Sequence, residues 1–122
     1  MSLLRQQLRK LLPLAVILAV VIGGTQALQA WQARGQAEAL RAVAQPGDIL
    51  MISTTTCSYC TRARNWMTEQ RVPFTECFIE QDRACAATFE RLGGQGTPTL
   101  LVRGQTVVGF DRARVLAVLS RN

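Results

Sequence analysis

The chain contains no histidine in its 122 residues. Zinc sites built from cysteine and histidine are therefore excluded, and a site built from cysteine alone would need all four thiols of the chain to meet in space. Only one close pair exists, Cys57 and Cys60; Cys77 and Cys85 are spaced C-x7-C. Aromatic residues make up only 6% of the chain, and no basic run is interleaved with them, so the net charge of +6 carries no sign of nucleic-acid binding. Three of the positive charges, Arg5, Arg9 and Lys10, stand before an apolar run, and the remaining arginines are scattered among acids as on an ordinary solvated face. There is no internal repeat and no low-complexity tract, which leaves room for one small domain.

What is present first is an apolar N-terminus. The run from Leu11 to Ile22 is uncharged and interrupted only by Pro13, and counting from Leu8 through Ala30 brings it close to the roughly 20 residues that cross a bilayer. Residues 1–30 thus read as a signal-anchor or transmembrane segment, with a cleaved signal peptide as the alternative. Thr25-Gln26-Ala27 offers a loose small-x-small cleavage site, and Gln26, Gln29 and Gln32 interrupt the run early. The basic residues before the run place that end in the cytoplasm, so either option delivers the rest of the chain to the far side of the membrane. Residues 31–46 read as a helical spacer, Ala- and Gln-rich up to Pro46-Gly47, with Trp31 either at the membrane interface or packed on the domain.

The most informative motif is Cys57-Ser58-Tyr59-Cys60, directly after the apolar run Ile49-Leu50-Met51-Ile52. Two thiols three residues apart at the start of a helix face the same side, and the first stands where unpaired backbone N–H groups stabilise a thiolate. Cys57 is then the nucleophile of thiol-disulfide exchange and Cys60 the resolving thiol. Arg62 and Arg64 come next in the same helix and are expected to add positive charge that favours the ionised sulfur.

Residues 47–122 alternate short strand-like and longer helix-like pieces. Strands are expected at residues 48–53 and 74–79, helices at 58–70 and 81–92, and a hairpin at 99–103 and 105–109, followed by a last helix capped by Asp111 with the apolar stripe Val115, Leu116 and Leu119. The order is βαβαββα, an α/β domain whose four-stranded sheet is mixed, since a strand–helix–strand unit lies parallel and a three-residue connection forces an antiparallel hairpin.

The CSYC motif after the first strand, Gly96-Thr97-Pro98-Thr99 before the hairpin and Val108-Gly109-Phe110-Asp111 before the last helix together resemble the glutaredoxins of the thioredoxin superfamily, small bacterial members above all; the resemblance covers residues 48–121. It implies a thioredoxin-like fold preceded by the N-terminal hydrophobic helix. By position, Pro98 resembles the family's cis proline facing the active cysteines, and Thr97 a residue that pairs with the backbone of an incoming peptide or glutathione. Tyr59, Gly109 and Asp111 fall at glutathione-contacting positions, Asp111 holding the γ-glutamyl end with the helix N-terminus. Two departures weaken the glutathione pattern: Thr54 stands where many relatives carry a basic residue, and Val108 stands in place of the first glycine of a Gly-Gly pair.

The expected activity is disulfide exchange with proteins or glutathione. No tightly bound cofactor or metal is expected, and glutathione enters as a co-substrate. The alternative is a metal-binding or [2Fe-2S]-binding module, which in relatives with CSYC joins two monomers through glutathione. The expected state is a monomer on the bacterial inner membrane with a periplasmic redox domain, or free in the periplasm after cleavage. A disulfide between Cys77 and Cys85 would add about 2–3 kcal/mol by closing a short loop in an oxidising compartment; two buried free thiols are the alternative, with a second redox pair third.

Overall fold

The computed structural model describes residues 1–121, and the chain divides into two compact units, Met1–Gly35 and Gln36–Asn122. The first helix, α1, runs Ser2–Val43 and so contributes to both. In the first unit its leucine, isoleucine and valine side chains are exposed from Leu3 to Leu28, and Trp31 with them. A window of this helix has a mean hydropathy of 2.2 and no buried residue, long and apolar enough to cross a membrane. Such a surface has no partner within its own unit, which is what separates it from a core helix.

The second unit begins with the last turns of α1. Ala37 and Leu40, three residues apart on one helix face, are buried at 1% exposure, and Ala44 comes after them into the core. The segment read from the sequence as a spacer is therefore partly domain. Its Ala- and Gln-rich composition hid a narrow apolar stripe, and one leucine at its centre is enough to dock a helix end.

The remaining elements are β1 (Ile49–Ser53), α2 (Ser58–Glu69), β2 (Thr75–Phe78), α3 (Arg83–Arg91), β3 (Thr99–Val102), β4 (Gln105–Val108) and α4 (Arg112–Ser120). This is the expected βαβαββα order. Boundaries differ from the sequence reading by one or two residues, most at α3, which starts after Asp82 because that carboxylate accepts the backbone N–H groups of Ala84 and Cys85 and so fixes the first turn. The sheet has the order β2-β1-β3-β4, with β1 parallel to β2 and antiparallel to β3, and β3 antiparallel to β4. Central β1 is buried almost throughout, as a strand covered on both faces must be. The core gathers Leu40 of α1, Ile49 and Met51 of β1, Leu100 and Val102 of β3, Val107 of β4, Ala63 and Met67 of α2, and Val115 and Leu119 of α4.

Arg103, in the hairpin turn with φ of 46°, ties several chain ends together. Its guanidinium donates to the Leu119 carbonyl at 2.8 Å, the Val43 carbonyl at 3.2 Å and Asp48 Oδ2 at 3.0 Å. Two helix C-terminal carbonyls thus receive a cation where the helix dipole favours one. The hydrogen bond from Arg103, then that from the Gln45 backbone N–H, holds the Asp48 carboxyl below its ordinary range.

Candidate active site

β1 delivers the chain to Ser53 at the edge of the core, and residues 54–56 turn it into α2. Cys57 is the N-cap of that helix, in extended backbone with φ −100° and ψ 108°. Its sulfur takes the role that a serine or aspartate oxygen fills at other helix starts, accepting the Cys60 N–H at 3.0 Å. Negative charge on Cys57 would meet the unpaired N–H groups and the positive end of the dipole there. Cys57 is partly exposed, whereas Cys60 is fully buried. The two are joined as a disulfide across a Cα–Cα distance of 5.2 Å.

On the opposite side of the sulfur stands the loop before β3. The Thr97–Pro98 peptide is cis, and the Thr97 carbonyl oxygen lies 3.6 Å from Cys57 Sγ. The Pro98 carbonyl in turn accepts the N–H of Gly109 at 2.8 Å, which ties this loop to the one before α4. Gly109 has φ of 81°, a left-handed backbone that favours glycine.

A cleft of about 470 Å³ opens between these loops and α2. Tyr59, Arg62, Ala63 and Trp66 form one wall, Thr97 and Pro98 a second, and Gly109, Phe110 and Arg112 the third. The Trp66 and Phe110 rings meet with centroids 5.6 Å apart, and the Arg112 guanidinium covers Trp66 at 5.0 Å. Arg62 lies 5.8 Å from the centre of the Tyr59 ring. Neither arginine joins an ion pair among the described residues, so both leave positive charge at the rim of an apolar cleft.

Arg64 departs from expectation. Its guanidinium forms two bonds to Glu76 on β2, Nε to Oε1 at 2.6 Å and Nη2 to Oε2 at 2.9 Å. The Ser53 hydroxyl donates to the same carboxylate at 2.7 Å. Burial alone pushes the Glu76 carboxyl up, but the bonds from Arg64 and Ser53 together outweigh it and hold the group below its ordinary range. Hydrogen bonding to Glu76 raises the Arg64 pKa in return. The charge expected at the sulfur is thus neutralised on the β2 side of α2, and only Arg62 of the pair stays at the cleft.

Residues 49–107 match the family model described as Glutaredoxin. This chain carries a glutaredoxin domain. Its fold is similar to a point mutant of the thioredoxin-like protein BC3987, with a TM-score of 0.52 and 20% identity over 62% of this chain and 99% of the other. Methanoredoxin of Methanosarcina acetivorans gives 0.52 at 20% identity over 65% of this chain and 90% of the other. The glutaredoxin of Methanosarcina mazei Go1 gives 0.51 at 18% identity over 61% and 79%. No curated protein sequence matches the chain significantly.

Within the glutaredoxin domain, Tyr59, Thr97, Pro98 and Gly109 all line the cleft. Asp111 does not: it is exposed, and its carboxylate caps α4 by accepting the Arg114 N–H at 3.2 Å. Sequence reasoning missed Trp66, Phe110 and Arg112. A signal for Trp66 was available, since Tyr59, Arg62, Ala63 and Trp66 repeat at helical spacing on one face. Cys77 on β2 and Cys85 on α3 form a second disulfide with Cα atoms 6.0 Å apart. The four sulfurs are thus paired two by two, and no cluster of three or more potential metal ligands occurs among the described residues.

Proposed function

We propose that the protein is a membrane-anchored thiol-disulfide oxidoreductase whose domain lies on the periplasmic side of a bacterial inner membrane and acts on protein or glutathione disulfides. The observation that carries this reading is the asymmetry of the cysteine pair: a partly exposed sulfur that accepts an N–H at a helix start, above a buried one. In the reduced domain the Cys57 thiolate attacks one sulfur of a substrate disulfide, that bond breaks, and the other substrate sulfur leaves as a thiolate that takes up a proton. Cys60 then loses its proton and attacks Cys57, releasing the second substrate sulfur. Two electrons pass from the dithiol to the substrate, and the domain ends with Cys57 and Cys60 joined. A dithiol donor or two glutathione molecules complete the cycle, and the same steps reversed oxidise a substrate.

The cleft supports both substrate classes. Its apolar walls suit a peptide side chain beside the disulfide, and Arg62 and Arg112 suit carboxylates such as those of glutathione. Basic residues before an apolar helix support the orientation.

The test is a Cys60→Ser variant of the full chain, expressed in its native compartment and quenched with acid and alkylator. A mixed disulfide on Cys57 is expected, and identifying the captured molecule distinguishes glutathione from proteins. Absence of any adduct that depends on Cys57, or stoichiometric iron or zinc in freshly purified wild-type protein, would overturn the reading.

A further inference from the structure

The second disulfide lies outside the exchange reaction, yet the segment it closes, together with Glu76 just before it, touches the end of β1 and the loop that carries Cys57 at three points. At Ser53 the hydroxyl donates to Glu76 at 2.7 Å, and the carbonyl accepts the Ile79 N–H at 3.1 Å. At Thr55 the backbone N–H donates to Glu80 Oε2 at 3.0 Å. All three partners fall within residues 76–80, and the Cys77–Cys85 bond ties this stretch to α3 through Cys85, which is buried in its first turn. Glu76 in turn grips α2 through Arg64.

We infer that the Cys77–Cys85 disulfide and Glu80 are positioning elements: they brace residues 53–55 so that Cys57 stands at the N-cap of α2, where its thiolate is stabilised. The physical step is short. Only Thr56 separates Thr55 from Cys57, and the stabilisation of a helix N-terminus falls off within one turn, so slack in the loop removes the sulfur from that field. Opening the 77–85 ring removes the covalent tie to α3 and leaves residues 79–81 held by backbone hydrogen bonds, Ile79 N–H to the Ser53 carbonyl and Gln81 N–H to the Phe78 carbonyl, so the Glu80 carboxylate loses its fixed reach to Thr55.

The inference rests on Cys57 being the nucleophile, and its test separates the two claims. In a Cys60→Ser background Cys57 is free while Cys77–Cys85 stays oxidised without added reductant, so the pH dependence of Cys57 alkylation by iodoacetamide reports its thiolate in detergent-solubilised full chain. Adding Cys77→Ala with Cys85→Ala, or adding Glu80→Ala alone, is expected to move the midpoint upward and slow alkylation at neutral pH about threefold to tenfold, the factor that one net hydrogen bond makes in an equilibrium. Glu80→Gln, which keeps an acceptor oxygen, is expected to stay within about twofold of the parent. An unchanged midpoint in both the double-alanine and Glu80→Ala proteins overturns the brace, even if their melting temperatures fall. A loss in Glu80→Gln equal to that in Glu80→Ala overturns it too. A parent whose Cys57 titrates as an ordinary thiol near about 8.5 instead overturns the proposed function.

Discussion

The Glu76 carboxylate shows how a single side chain is committed by its surroundings. Its side chain is only 12% exposed, and it holds Arg64 and Ser53 together at the junction of β1, α2 and β2. Removing Arg64 strands a mostly buried anion; because the arginine itself is a third exposed, Arg64→Ala is expected to cost about 1–3 kcal/mol in chemical denaturation, between the surface and buried limits. The pH dependence has a definite sign. A carboxyl whose folded pKa lies below the ordinary 4.5 stabilises the fold fully above that value, and this contribution fades as pH falls through the folded pKa. Stability measured from pH 7 down to pH 3 is thus expected to fall more steeply in the wild type than in Glu76→Gln. Equal slopes would show that the carboxylate is not linked to folding. At this scale the sequence was legible for the cysteines, whose spacing alone brings them together at the start of α2, and not for Arg64, because nothing local reveals that a carboxylate twelve residues on will claim it.

Among the elements, α1 departs most from a reading by composition. The helix ending was foreseen just before Pro46-Gly47, and the helix does stop there, but the burial of Ala37 and Leu40 was not. An apolar stripe of two or three residues is weak against the background of an alanine-rich helix, and the β3 and α4 members of the core cluster that Leu40 joins come sixty residues or more later. Leu40→Ala is expected to lower the stability of the domain by about 2–4 kcal/mol, as a cavity in a packed core does. Trp31→Ala, at a side chain 73% exposed in the other unit, is expected to leave it unchanged. Thermal melting of the two variants side by side checks this, and equal losses would contradict the burial. Most of the strands and the other helices were readable from local punctuation: the apolar runs of β1 and β3, Gly93-Gly94 after α3, Gly104 in the hairpin, and aspartates at the starts of α3 and α4.

For the molecule as a whole, the consequence is a redox domain joined to a helix whose exposed apolar surface suits a bilayer. A membrane-impermeant maleimide added to intact spheroplasts is expected to label Cys57 in the Cys60→Ser variant, and alkaline carbonate is expected to leave the protein with the membrane. Labelling only after lysis would reverse the orientation, and release by carbonate would point to cleavage of the N-terminal segment. Element order, the pairing of Cys57 with Cys60, and the apolar N-terminus were determined by the sequence alone, since all three depend on spacing within a few residues and on local periodicity. Which arginine stays at the cleft, how Trp66, Phe110 and Arg112 complete its walls, and how residues 76–80 reach the loop before Cys57 were decided only by the tertiary structure. These are contacts between distant chain segments, and their partners are fixed by how the sheet orders its strands and by the side of each helix that the core claims.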